Sequence, residues 1–295
     1  MVFFGAGTRA HIRIRAVVLC VLIIGAVVTY GAEAGAPFGR AGTDTLRVTF
    51  FDVGQGDAVF IESPTGVQVL IDGGPDAGVL RVLAREMGFF DRSIDVVIAT
   101  HPDADHVGGL PDVFARYDVA SVLLTENTGE SATADAFREY ARSEGAGITI
   151  ARHGMTYDLG GGAHLTVLFP DRDVAMLESN TSSIIVRLTY GEHEFLFTGD
   201  APQSIEDYLV VTYGDALRSD VLKVGHHGSR TSTSELFVAA VNPTYAIISA
   251  GEDNRYGHPH KDVLDVLTQA GVITKNTADE GSISFVSDGE TLRLK

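Results

Sequence analysis

Two His and two Asp fall within six residues in the segment Thr100-His101-Pro102-Asp103-Ala104-Asp105-His106-Val107-Gly108-Gly109. No other feature constrains the chain as strongly. The segment directly follows the apolar run Val96-Val97-Ile98-Ala99, which predicts a buried strand whose C-terminal end presents four potential ligands on a loop. His101 and Asp103 are two apart and Asp105 and His106 adjacent, so a tight turn can aim the first pair at one ion and the second at another. Gly108-Gly109 is expected to let the backbone turn sharply into the following helix. Cys20, the single cysteine, lies in an apolar N-terminal run. Any metal must therefore be held by His, Asp or Glu.

Two further strand ends carry matching chemistry. Phe195-Leu196-Phe197-Thr198-Gly199-Asp200 is an apolar strand running into Gly-Asp. Its carboxylate could bridge two ions, although strand-Gly-Asp is also a common turn. Val221-Leu222-Lys223-Val224-Gly225-His226-His227-Gly228-Ser229 is a strand entering a His-bearing loop. Neutral imidazole suits first-row metals, and this pair reads as one ligand with its neighbour supporting it or touching substrate.

Short β-branched runs at Leu46–Phe51, Ala58–Glu62 and Val67–Ile71 predict an antiparallel meander. Helices at Val79–Met87 and Ala134–Glu144 precede strands at Asp95–Ala99 and Ile148–Ala151. A second strand block, Leu165–Phe169, Ile184–Thr189 and Glu194–Phe197, leads to helices at Ile205–Thr212, Ser234–Val241 and Asp262–Ala270. Strands followed by helices, twice over, fit two sheets packed face to face with helices outside. His193 is expected in a solvated hairpin turn, and His11, His153 and His164 have no partner motif.

At the N-terminus, Arg9, Arg13 and Arg15 precede the apolar run Ala16–Val28, which has signal-peptide length and is short for a span of about 20 residues. Ala32-Glu33-Ala34 supplies a small-x-small cleavage pattern. Residues 1–34 are therefore read as a signal peptide or membrane anchor, 35–44 as a linker and 45–295 as one domain. The protein is expected to be secreted, or anchored to the outer face of the cytoplasmic membrane. The net charge of −17 becomes −19 if residues 1–34 leave with three Arg and one Glu. That is a poor footprint for a nucleic-acid binder, offset in part by divalent ions and by Lys223, Arg230, Arg255 and Lys261 near the ligand segments.

Six motifs in order, Phe51-Asp52-Val53-Gly54-Gln55-Gly56-Asp57-Ala58, Ile71-Asp72-Gly73-Gly74, the His101–Gly109 loop, the Asp200 strand, the His226-His227 loop and Tyr256-Gly257-His258-Pro259-His260, resemble the metallo-β-lactamase superfamily. Within it they resemble the extracellular C-terminal domain of ComEC competence proteins. The likeness covers roughly residues 45 to 290. It implies an αββα sandwich, an α/β fold of four layers, holding two divalent ions, Zn²⁺ or Mn²⁺. It also implies phosphodiester hydrolysis, with degradation of one DNA strand during uptake. Carried over by residue, His101, Asp103 and Asp200 would form one metal site, and Asp105, His106, Asp200 and His226 the other. Asp72 would orient the His/Asp loop, while Asp52, Gln55, Asp57, His227 and Ser229 would orient ligands or touch substrate. Asp105 would help position the nucleophile and His258 would bind phosphate or act as general acid, with His260 helping to start the next helix. The superfamily usually has His at the position of Asp103, and another His where this chain has Asn180-Thr181-Ser182-Ser183. An Asp-rich set would suit Mn²⁺ as well as Zn²⁺.

The Asp52–Asp57 loop is open to two readings, an anion cradle of backbone N–H groups or a hairpin turn. Three functions follow as expectations: an exported phosphodiesterase acting on DNA, a hydrolase of another phosphodiester such as a cell-wall, nucleotide or lipid headgroup, or a non-catalytic accessory of a DNA-uptake channel. A role in uptake would need a separate membrane channel, and an uncleaved N-terminal segment would tie the protein to the membrane.

Overall fold

Alternation along the strands decides which side chain faces which layer. In β4 (Ser93–Ala99), Val96 and Ile98 face one way and Val97 the other; in β10 (His193–Phe197), Phe195 and Phe197 oppose Leu196. The structure, a computed structural model, describes residues 42–143 and 145–295. The leader and residues 35–41 of the expected linker lie outside these residues. Gly42–Lys295 form one compact unit. Among the described residues no helix is long and apolar enough to cross a membrane.

The first sheet opens with the antiparallel strands β1 (Leu46–Phe50), β2 (Val59–Glu62) and β3 (Gln68–Ile71). It continues in parallel through β4, β5 (Asp118–Leu124) and β6 (Gly147–Ile150). The second repeats the plan: antiparallel β7 (Thr156–Gly160), β8 (Ala163–Phe169), β9 (Ile185–Tyr190) and β10, then parallel β11 (Val221–Lys223), β12 (Tyr245–Ile248) and β13 (Ile273–Asn276). Strands β14 (Ile283–Ser287) and β15 (Leu292–Leu294) return to the first sheet, giving the orders β15-β14-β1-β2-β3-β4-β5-β6 and β13-β12-β11-β10-β9-β8-β7. The sequence pattern did not single out β5, β7 or β12 to β15.

Between the sheets, Phe50, Ile61, Val69 and Ile98 meet Val167, Leu188, Phe195 and Phe197. Burying one such side chain contributes on the order of 2 kcal/mol. On the outer face of the first sheet lie α1 (Val79–Glu86), the short α2 (Ala104–Val107) and α3 (Leu110–Phe114), and α4 (Ala132–Ser143), packed through Val82, Leu83, Leu110, Phe114 and Phe137. Helices α5 (Gln203–Tyr213), α6 (Glu235–Val241) and α7 (Lys261–Gln269) cover the other sheet. This is the four-layer αββα sandwich. His193, expected in a solvated turn, instead begins β10 and is only 8% exposed, with Nδ1 2.8 Å from Ser287 Oγ. The turn is Gly191-Glu192 alone, so His193 already sits in the ladder opposite Tyr190.

Candidate metal centre

The ligand candidates stand at C-terminal strand ends. Asp72 follows β3, His101 to His106 follow β4, Asp200 follows β10, and His226-His227 follow β11. Because β3 and β4 are parallel, as are β10 and β11, each pair of ends opens on one edge of its sheet. The two edges meet at Asp200, which is buried.

Hydrogen bonding sets the tautomer of each imidazole. Asp72 Oδ1 accepts from Thr100 N at 2.8 Å; its Oδ2 accepts from Thr100 Oγ1 at 2.7 Å and from His106 Nδ1 at 2.8 Å. With its proton given to Asp72, the Thr100 hydroxyl accepts from His101 Nδ1 at 3.0 Å. His227 Nδ1 donates to the Ser249 carbonyl at 2.9 Å. The Thr231 hydroxyl donates to Ser229 Oγ and lies 3.0 Å from His226 Nδ1. In the neutral His101, His106 and His227 rings Nδ1 therefore carries the hydrogen and the Nε2 lone pair is left for the interior of the site, whereas His226 Nδ1 also has the Asn180 amide nitrogen at 3.4 Å.

Those lone pairs converge on carboxylate oxygens. His106 Nε2 is 3.3 Å from Asp200 Oδ1, while His227, His226 and His101 Nε2 are 3.5, 3.6 and 3.8 Å from Asp200 Oδ2. His101 Nε2 is also 3.7 Å from Asp103 Oδ2, and His227 Nε2 3.2 Å from Asp105 Oδ2. Acceptors thus face acceptors. The Nε2 atoms of His101, His106 and His227 and Oδ1 of Asp200 are buried without a hydrogen-bond partner. Such a set lacks only positive charge, and divalent cations fit it. Without metal, protons on the rings take up part of that role. Burial alone would raise Asp200, but His227 and His106 hold it well below the usual carboxylate range. Burial would lower His106, yet Asp200 and Asp72 push it well above the ordinary imidazole value.

Asp57, His106, Asp200 and His227 each offer an atom within 4.8 Å of the others. Asp57, however, is already engaged: Oδ2 lies 2.9 Å from Lys223 Nζ and Oδ1 3.2 Å from His227 Nδ1. It stands behind the His227 ring, on the side away from Asp105, and so supports the ring. The sequence pattern did not mark Lys223 as a site residue. Its signal was there, a cation in an apolar strand that needs a buried partner.

His226 and His227 both have positive φ, 49° and 55°. Consecutive side chains of an extended strand point to opposite faces, whereas this left-handed pair turns both rings toward Asp200. Both rings of the expected ligand pair reach Asp200 Oδ2, His226 at 3.6 Å and His227 at 3.5 Å, and His227 is the more buried. Gly108 and Gly109 also act differently from expectation. Their φ values are −62° and −87°, ordinary for any residue. Added Cβ atoms would lie 2.1 Å from the Pro75 carbonyl and 2.2 Å from that of Gly73, so close approach is what requires glycine.

At the rim, Asp52 Oδ1 accepts from Gly54 N, and Gln55 Oε1 from Gly251 N. Ser229 Oγ is taken by Thr231. Asp103 accepts from Ser179 Oγ, beside a cleft of about 370 Å³ lined by Pro102, Asn127, Met176 and Ser179. His258 stacks with Tyr256 at 5.6 Å and lies 5.6 Å from the His226 ring. Burial, then His227 and His226, push it down to about 4. In the metal-free protein it is therefore neutral near pH 7. His260 occupies the N-cap position of α7 without a side-chain cap, its Nδ1 accepting from Arg230 N.

The metallo-beta-lactamase superfamily model matches residues 51–252. ComE operon protein 3 of Bacillus subtilis is 30% identical, covering 81% of this chain and 33% of its own length. Competence protein ComA of Neisseria gonorrhoeae is 31% identical, covering 90% and 35%, and recombination protein 2 of Haemophilus influenzae 30% identical, covering 83% and 29%. The chain spans about a third of the length of these relatives. Among solved structures, the metallo-beta-lactamase fold protein YhfI of Bacillus subtilis aligns with a TM-score of 0.56 at 13% identity, over 83% of this chain and 100% of its own. CmlA, a diiron beta-hydroxylase from Streptomyces venezuelae, aligns with a TM-score of 0.50 at 17% identity, over 78% and 52%. At these identities the likeness is one of fold.

Proposed function

Because the chain belongs to the metallo-β-lactamase superfamily, we propose that it is an exported, metal-dependent phosphodiesterase acting on DNA. The observation that carries this reading is the convergence of four imidazole Nε2 atoms on Asp200, three of them buried without a hydrogen-bond partner. His101, Asp103 and Asp200 would hold one ion, Zn²⁺ or Mn²⁺, and Asp105, His106, Asp200 and His227, with His226 alongside, the other. Bound divalent ions would lower the pKa of an attacking water and offset charge on the phosphoryl oxygens.

The chain's own residues do the rest. Asp200 Oδ1 faces His106, while Oδ2 faces His101 from one half of the site and His226 and His227 from the other, so one carboxylate ties the two halves together. Asp105, partly open to solvent, would orient the attacking water. Neutral His258 would donate a ring N–H to a phosphoryl oxygen. DNA is favoured by the relatives named for competence and recombination. The basic and apolar N-terminal run supports export or anchoring, and passage of DNA through a membrane would fall to a separate channel. A second reading, a phosphodiester other than nucleic acid, draws on the net charge of −17.

The test is hydrolysis of single-stranded DNA and of bis-p-nitrophenyl phosphate by protein stripped of metal and reloaded with Mn²⁺ or Zn²⁺. Metal-restored DNA cleavage, absent from an Asp105→Ala/His106→Ala variant, is the expected result. Cleavage of the small diester alone would move the substrate to the second reading. Inactivity on both with metal bound would leave a non-catalytic accessory.

A further inference from the structure

Beside the metal-binding loop, on the helix side of the first sheet, α4, the end of β5 and the edge strand β6 enclose a cavity of about 140 Å³. Its walls are apolar: Ala99, Val107, Leu124, Phe137, Ile148 and Ile150. Ile148 and Ile150 are two apart on β6 and so share a face, and they remain 40% and 37% exposed. His101 and Pro102 of the metal-binding loop also line the space.

One polar group is aimed into it. Thr125, directly after β5, is 7% exposed, and its buried Oγ1 has no hydrogen-bond partner. A buried hydroxyl left in that state is unfavourable unless a ligand satisfies it. Two of the charged groups that line the cavity are already matched, Arg138 to Asp135 at 2.6 Å and Glu126 to Arg152. Arg142, exposed in the last turn of α4, completes the rim. An ion would lose its water against these walls, and an aliphatic group would leave Thr125 unpaired. What fits is a neutral ring with apolar faces and a polar edge.

Size and position agree. Apolar cavities of about 150 Å³ accept a benzene ring, so this one suits a single planar ring. Pro102, Asn127 and Thr128 line both this cavity and the 370 Å³ cleft that contains Asp103, so the two adjoin. The loop between them is held in place: Asn127 Nδ2 donates to the Leu177 carbonyl at 2.7 Å, and its Oδ1 accepts from Gly129 N at 2.9 Å. The pocket is therefore formed before any ligand arrives.

We propose that this cavity receives one unpaired nucleobase of the substrate, its faces against Leu124, Ile148 and Ile150 and its polar edge on the Thr125 hydroxyl. The phosphodiester attached to that nucleoside reaches the metal centre past Pro102 and Asp103. The inference rests on the phosphodiesterase reading for the place of the phosphate, whereas the pocket itself can be tested without hydrolysis.

NMR of the full chain with isotope-labelled isoleucine methyl groups reads even weak binding, and Ile148→Val and Ile150→Val assign the two reporters. Thymidine, which carries a base and no phosphate, should shift both signals saturably while the other isoleucine signals report an intact fold. Thr125→Val should weaken this binding roughly threefold to tenfold, and Leu124→Trp, whose ring fills the cavity, should abolish it. With Mn²⁺ bound, the p-nitrophenyl phosphate diester of thymidine should have a KM roughly tenfold below that of methyl p-nitrophenyl phosphate, which shares the leaving group and has no base. Leu124→Trp should bring the two KM values together. A KM for single-stranded DNA that rises in the same variant would place the base in a DNA strand, and an unchanged one in a mononucleotide diester. Reporter signals that stay still with thymidine, or that move as much with methyl deoxyriboside, would overturn the proposal. Shifted reporters without hydrolysis of either ester would uphold the pocket and remove the phosphodiesterase reading.

Discussion

Lys223 Nζ lies 2.9 Å from Asp57 Oδ2 with both side chains almost wholly buried, and the other Asp57 oxygen faces His227 Nδ1. A charge on β11 and one on the first loop thus meet behind a ring that presents Nε2 to the metal centre. Lys223 also donates to the Val224 carbonyl at 2.8 Å. Lys223 and His227, after burial is overcome, hold Asp57 below the usual carboxylate range.

Removing one member of this pair leaves a buried charge alone. Lys223→Met should destabilise the fold by about 3–5 kcal/mol in urea unfolding, and Asp57→Asn/Lys223→Met should recover much of that loss. Asp57→Asn should separately weaken metal binding by roughly 10–100-fold in calorimetry, because the His227 ring loses the carboxylate behind it. Unchanged affinity in Asp57→Asn would mean that the Ser249 carbonyl alone orients the ring.

Asp72 has a φ of 59°, a conformation that Asn also tolerates. Asp72→Asn should therefore keep the backbone while removing the anionic acceptor of His106 Nδ1. Metal affinity should fall by about 10–100-fold with little change in melting temperature of the metal-free protein.

His227 links metal binding to pH. Burial would lower this imidazole, but Asp200 and Asp57 raise it from 6.5 to about 9. In the metal-free protein its proton stabilises the fold fully below pH 6.5, and that contribution is lost as pH rises through about 9. Metal must displace the proton within this window, so binding at pH 7.5 should release protons and tighten as pH rises. Calorimetry in buffers of different ionisation enthalpy measures the release, and His227→Ala should reduce it.

Glu206 gives a second pH signature, away from the metal. Its buried carboxyl accepts from Thr233 N and Ser234 N, and burial raises it from 4.5 to about 7 despite those bonds. Folding favours its protonated form, so its contribution is complete below pH 4.5 and is lost as pH rises through about 7. Glu206→Gln should flatten that part of the stability curve, a change of up to about 3 kcal/mol in urea unfolding at pH 8 against pH 4.

The sequence by itself determined two successive blocks of strands followed by helices, with sheets covered on both faces, because continuous apolar runs such as Phe195-Leu196-Phe197 bury both faces of a strand, although six of the fifteen strands left too weak a pattern to be read. It also determined where ligands emerge, since a cluster such as His101–His106 directly after a buried strand falls at that strand's C-terminal end, on the loop and the short helix that follows it. Weakly patterned strands such as β7, Thr156–Gly160, carry little apolar signal of their own, and neighbours complete them. Only the tertiary structure decided that His227 lies deeper than His226, that His193 is inside, and that Lys223 answers Asp57. The reason is physical: a left-handed backbone at His226-His227 and a buried ion pair between distant segments are stable only when surrounding packing excludes water and over-determines them. Local pattern reports which face of an element is apolar, whereas the partner of a buried charge is chosen by whatever the fold brings within reach.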